Sequence, residues 1–168
     1  MKKLSVFILW ALSATASFAS GGGGGGGSGS GNDGGSNLPN ASPTASSLYD
    51  LGYSAAKRGD YEGAISDFKK ALEMRPDYPE ALNMTGYCLR KSGDIKGAFS
   101  YYDKALKLRP NFSDAREYYG EAWIESGDLK KAVQQYLILK KAKVSQADEL
   151  LAFIDAYVNG KPYPKEDL

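Results

Sequence analysis

From about Ala45 onward, apolar and small residues return at fixed intervals with charged residues between them. Gly59-Asp60, Gly93-Asp94 and Gly127-Asp128 stand 34 residues apart. Gly52, Gly86 and Gly120 keep that interval, as do Ala64, Ala98 and Ala132, and the rings of Phe68, Tyr102 and Tyr136. Self-similarity of this length is the signature of a helical array whose units cannot bury their apolar faces alone. Each unit reads as two amphipathic helices joined at the Gly-Asp pair. Unit one is Ala45 to Tyr78, unit two Pro79 to Phe112, and unit three Ser113 to Gln146.

The punctuation fits that reading. Glycine tolerates positive φ and so ends the first helix of a unit. The aspartate after it accepts from the free N–H groups of the second helix. Pro76 and Pro110 end the second helices of units one and two, because proline lacks the N–H that a continuing turn needs. A last helix is predicted over Gln146 to Val158, with Ser145 and Asp148 at capping-box-like spacing and Gly160 just beyond its end. Leu150, Leu151, Ile154 and Val158 give it one apolar stripe, suited to cover the open end of a stack. Residues 159–168 are expected to fray.

The packing roles follow from size. Gly52, Gly86 and Gly120 let paired helices approach, Ala64, Ala98 and Ala132 do the same from the partner helix, and the three rings fill the space between them. These residues match the tetratricopeptide repeat, and the chain resembles three tandem repeats plus a solvating helix. Unit one carries Leu48, Leu51, Gly52, Gly59, Asp60, Tyr61, Ala64, Phe68, Ala71 and Pro76. Unit two carries Leu82, Thr85, Gly86, Gly93, Asp94, Ile95, Ala98, Tyr102, Ala105 and Pro110 at the same positions. Unit three departs at Arg116, where a large apolar residue is usual, and at Leu139, where a small one is usual. It also lacks the closing proline, so its second helix is expected to run longer or to pack differently. The resemblance implies an all-α fold of three stacked helix-turn-helix repeats in a short right-handed superhelix with a C-terminal capping helix.

Ahead of the array the composition changes twice. Met1 to Ala19 reads as a secretory signal peptide: Lys2 and Lys3, an apolar run over Leu4 to Leu12, then small residues. The cut is expected after Ala19, with Ala16 as the alternative. The apolar run is short against the roughly 20 residues of a bilayer span. Residues 20–44 form a Gly/Ser-rich linker that holds 11 of the chain's 20 glycines, too polar to offset its ordering entropy. Two of the 21 Lys+Arg lie in the leader, so the remainder faces 20 Asp+Glu nearly in balance. That balance gives no general attraction to nucleic acid. The sequence contains no histidine and one cysteine, Cys88. Histidine-based catalysis and most zinc sites are thereby excluded, as is an intrachain disulfide. No pairing of nucleophile and base stands out, and no cofactor is expected.

The resemblance also implies where a ligand would sit. In this family the first helix of each unit lines a concave groove that takes an extended peptide or a partner helix. By position, the groove candidates here are Tyr49, Tyr53 and Lys57 in unit one. Unit two supplies Asn83, Met84, Tyr87, Arg90 and Lys91, and unit three Asp114, Glu117, Tyr118, Glu121 and Glu125. Tyrosine offers apolar area with a polar tip, though the same rings could pack between units. The charges run from basic (Lys57, Arg90, Lys91) to acidic (Asp114 to Glu125), a gradient able to orient a bound segment or simply to solvate the face. The family's clamp for a terminal carboxylate is missing, since Tyr49, Tyr53, Met84, Asp114 and Tyr118 hold its positions and none is a cation. Cys88 occupies a small-residue position and reads as packing.

The chain therefore reads as a non-enzymatic, exported adaptor binding a protein segment. It resembles small exported bacterial repeat proteins, which implies a periplasmic or secreted setting with no membrane span after cleavage. Self-association through unit three and the last helix is the first alternative, and a small-molecule carrier the second.

Overall fold

The computed structural model describes residues 42–165 and 168; the leader and most of the linker lie outside the described residues. Seven helices follow one another: α1 Ala45–Lys57, α2 Tyr61–Met74, α3 Pro79–Lys91, α4 Ile95–Leu108, α5 Ser113–Glu125, α6 Leu129–Ala142 and α7 Gln146–Asn159. Consecutive helices pack as antiparallel pairs, α1 on α2, α3 on α4 and α5 on α6, and each pair stacks on the next.

The turns inside the pairs are the same device three times. Gly59, Gly93 and Gly127 take φ of 79°, 90° and 85°, and the residue after each caps the next helix. Asp60 accepts from Gly63 N–H at 3.0 Å, Asp94 from Gly97 N–H at 2.9 Å, and Asp128 from Lys131 N–H at 3.1 Å. At the head of α1 a capping box joins Thr44 and Ser47: the Thr44 hydroxyl accepts from Ser47 N–H at 3.1 Å.

The core runs between the paired helices. Ala64, Phe68, Ala98, Tyr102 and Ala132 are fully buried. A Cβ added at Gly52 would meet the Phe68 ring at 2.9 Å, and one at Gly86 the Tyr102 ring at 2.8 Å. Helix pairs one and two are thus held close by glycine against a ring, as the sequence predicts.

Unit three differs, and α7 is the reason. A Cβ at Gly120 would run into Leu150 of α7 instead of Tyr136. Tyr136 is only partly buried, beside a cluster of Ile124, Leu139, Leu150 and Phe153. Leu139, large where a small residue is usual, is buried in that cluster. Arg116 uses its guanidinium to donate to the Pro110 carbonyl at 2.7 and 3.1 Å and to Gln135 at 2.9 Å. It ties the loop before α5 to α6, which an apolar residue could not do.

Of the two alternatives for the second helix of unit three, different packing holds and greater length does not, and two further local expectations are corrected. Without a closing proline α6 is still 14 residues long, as α2 and α4 are, and it ends at Lys143, which takes φ 57° and ψ 44°. Ser145 does not cap α7 through its side chain; the residue is itself helical, and the first turn closes by backbone bonds to Val144 and Ser145. The buried stripe of α7 is Ala147, Leu150, Phe153 and Ala156, while Leu151 and Val158 are 41% and 63% exposed. The helix is rotated because two neighbours, α5 and α6, share its packing face.

The concave groove and its buried charges

The first helices of the pairs, α1, α3 and α5, present their inner sides to one cavity of about 610 Å³. Tyr49 and Tyr53 come from α1, Asn83 and Met84 from α3, and Asp114 and Tyr118 from α5. The helical spacing places Tyr49 one turn ahead of Tyr53, and their rings stack at 6.2 Å. Tyr49 also meets Tyr78 at 5.1 Å and Phe68 at 5.5 Å, so it joins the groove wall to the core of unit one.

Burial decides what these groups can do. Desolvation pushes the Tyr49 phenol up to about 12, and burial raises that of Tyr118 as well, with Glu117 and Glu121 adding to it. Both remain neutral hydrogen-bonding groups at ordinary pH. Asn83 is 3% exposed, and its Oδ1 has no hydrogen-bond partner among the described residues. A buried amide oxygen left in that way is an acceptor open to a ligand donor.

Other sequence candidates lie beneath the groove. Tyr87 and Arg90 are each 2% exposed, and Glu121 is fully buried. The Arg90 guanidinium meets Glu121 at 2.7 Å and Glu125 at 2.6 Å, bridging α3 to α5. The Tyr87 ring packs on Tyr118 at 5.1 Å, with the Arg90 guanidinium 5.5 Å from its centre. These three residues shape the floor. Lys91 and Lys57 stay exposed at the edge, 5.9 Å from the Tyr87 and Tyr53 rings respectively.

The graded charge is therefore much reduced. Arg90 is consumed by the acids facing it. Asp114 accepts from the Gln146 amide at 2.7 Å. Burial, with Glu121 nearby and a hydrogen bond to Glu149, pushes Glu117 up to about 9, so it is uncharged at neutral pH. Glu117, Tyr118 and Glu149 line a second cavity of about 340 Å³ with Phe153, Pro164 and Lys165.

Sequence reasoning missed part of the lining. Arg109 and Glu80, paired at 2.6 Å, lie in the wall of the large cavity with Phe112. Arg109 directly follows α4, outside the first helices, so a reading restricted to those helices passes over it. Leu168 also reaches this cavity, although the tail was expected to fray. Cys88 is fully buried and its thiol is pushed up to about 12 by burial, consistent with packing. Among the described residues no cluster of metal-ligating side chains occurs and no helix is long and apolar enough to cross a membrane.

Residues 49–111 match one family profile and residues 89–152 another, each described as Tetratricopeptide repeat. No curated protein sequence matches the chain. Among solved structures it is similar to the first TPR of Spaghetti (RPAP3) bound to the HSP90 peptide SRMEEVD, at 21% identity and TM-score 0.61, covering 69% of this chain and 94% of that one. It is similar to the translocator chaperone SycD of Yersinia enterocolitica type III secretion, at 18% identity and TM-score 0.62, covering 71% and 92%. It is also similar to the Sgt2 TPR domain of Aspergillus fumigatus, at 23% identity and TM-score 0.62, covering 76% and 89%. At these identities the likeness concerns the fold.

Proposed function

Because the chain belongs to the tetratricopeptide repeat family, whose stacked units form binding surfaces, we propose that it is a non-catalytic adaptor of the bacterial cell envelope that holds an extended protein segment in its concave groove. The observation that carries this reading is the 610 Å³ cavity, walled by tyrosines and floored by the unpartnered Asn83 oxygen. Aromatic area supplies affinity at small entropic cost. A buried acceptor selects a ligand with backbone N–H groups to offer. The likeness to an array solved with a bound peptide supports the same use of the groove. The setting rests on the sequence alone: a leader over Met1 to Ala19 and a glycine-rich tether ahead of the array.

Site-specific photo-cross-linking tests it. A benzoylphenylalanine at Tyr53 should capture a discrete protein partner in envelope extracts, and one at the exposed Lys104 of α4 should not. Capture of the same proteins from both positions, or of none from Tyr53, rejects the groove reading. Fractionation of cells expressing the whole chain tests export independently; retention in the cytoplasm rejects the envelope setting.

Self-association has one observation in its favour. Leu137 and Ile138 of α6 are 55% and 43% exposed, and Leu151 and Val158 of α7 are 41% and 63% exposed. Light scattering decides it: a mass that stays monomeric across concentration removes this reading.

A further inference from the structure

The chain after α7 lies against the groove at several separated points. Gly160, at φ 63°, turns it out of the helix, and Lys161 fixes the exit by donating its N–H to the Ala156 carbonyl at 2.9 Å. Pro162 and Pro164 then forbid helix and favour extended backbone. Tyr163 stacks on Phe153 at 5.5 Å and 22°. Pro164 and Lys165 line the cavity that holds Glu117, Tyr118 and Glu149.

Leu168 completes the path. It is half-buried, and it packs on the cluster formed by Ala55, Ala56, Met84 and Tyr87. It lines both the large groove cavity and an adjoining cavity of about 460 Å³ that includes Lys57, Tyr61 and Tyr87. The five steps from Tyr163 to Leu168 reach about 17 Å when extended, which matches two interhelical spacings of about 8–10 Å. A segment of that length can cross from α7 to the tyrosines of α1 and α3.

We infer that the tail, through Tyr163, Lys165 and Leu168, is an intramolecular ligand of the groove, and that the external partner is an extended peptide of the same chemistry: an aromatic residue, a cation two positions on and an aliphatic residue three further on. The aromatic residue stacks on Phe153. The cation enters the cavity lined by Glu117 and Glu149, beside the two acidic side chains there. The aliphatic residue enters the tyrosine cluster. A tethered segment acts at an effective concentration in the millimolar range, so the partner must outcompete it. This inference rests on the groove being a peptide site.

The probe is a fluorescein-labelled peptide of residues 161–168, titrated by anisotropy into the full chain and into a full-length Tyr163→Ser/Leu168→Ser variant. Both changes lie in the tail, and circular dichroism checks that the helices are retained. With a free-peptide Kd near 0.1 mM and millimolar tethering, the variant should bind about tenfold more tightly than the unmodified chain. Adding Tyr53→Ala to the variant should abolish that gain, and a scrambled peptide should not bind. Equal binding to both chains overturns the inference but leaves the groove as a peptide site. Absence of binding to the variant up to about 1 mM also overturns it, while the Tyr53 cross-link still decides the groove reading separately.

Discussion

Arg90 of α3 and Glu121 of α5 meet at 2.7 Å with neither side chain exposed, and Glu125 completes the contact at 2.6 Å. The pair joins the second and third units below the groove floor. Two charges out of water are retained only while each has the other. Arg90→Met alone should cost about 3–5 kcal/mol, because Glu121 is left buried without its cation. Arg90→Met combined with Glu121→Leu should recover much of that loss. Urea denaturation of the three proteins checks both outcomes; a single variant as stable as the parent would show that the bridge does not join the units.

Glu117 makes stability depend on pH. Its carboxyl is pushed from an ordinary 4.5 to about 9 by burial first, with Glu121 repulsion and the Glu149 hydrogen bond adding to it. The folded chain then holds a proton that the unfolded chain releases. This contribution is fully present below about pH 4.5 and is lost as pH rises toward about 9. The slope between those limits is at most about 1.4 kcal/mol per pH unit. Glu117→Gln keeps the neutral shape and should flatten the profile, with higher stability at pH 8 than the parent. Melting temperature measured from pH 5 to pH 9 is the check; parallel profiles would place the pH dependence elsewhere.

Gly86 has no room for a methyl group. The added Cβ would stand 2.8 Å from the fully buried Tyr102 ring. Gly86→Ala should destabilise the array by about 1–3 kcal/mol, as overpacking of a closed core does. Gly120→Ala should act differently, since its obstacle is Leu150 of α7. Hydrogen exchange should then rise first in α7 and only later in α1 to α4.

Lys143 ends α6 in a left-handed conformation, φ 57°, which a side chain resists by roughly 1–2 kcal/mol. Lys143→Gly should therefore raise the melting temperature by a few degrees, and Lys143→Val should lower it. Thermal unfolding by circular dichroism reads both.

What could be read from the chain was what is decided within a few residues. The Gly-Asp turns were legible because one positive φ and one side-chain cap are local events, repeated at Gly59, Gly93 and Gly127. That Tyr49 and Tyr53 face the cavity was implied by the resemblance, which puts the first helices on the concave side. The Arg90–Glu121 bridge was half visible: both residues were placed on the groove, but opposite charges on adjacent first helices were read as a gradient and not as a contact. The position of Leu168 was hidden, because its distance from Tyr53 along the chain says nothing of the two lining one cavity. The displacement of Tyr136 by Leu150 was hidden too, although Leu48, Leu82 and Leu150 share the 34-residue rhythm that Arg116 interrupts.

That last substitution limits how such an array can grow. The notch over Gly120 is already filled by Leu150 from a helix that has no second helix paired after it among the described residues. Duplication of a unit can be absorbed upstream of α7, where each junction offers the same register. Placed after α7, a new unit would meet the exposed Leu151 and Val158, with the notch over Gly120 already taken. An added unit would have to dock on that apolar edge and could not reuse the glycine-and-ring joint of the first two units.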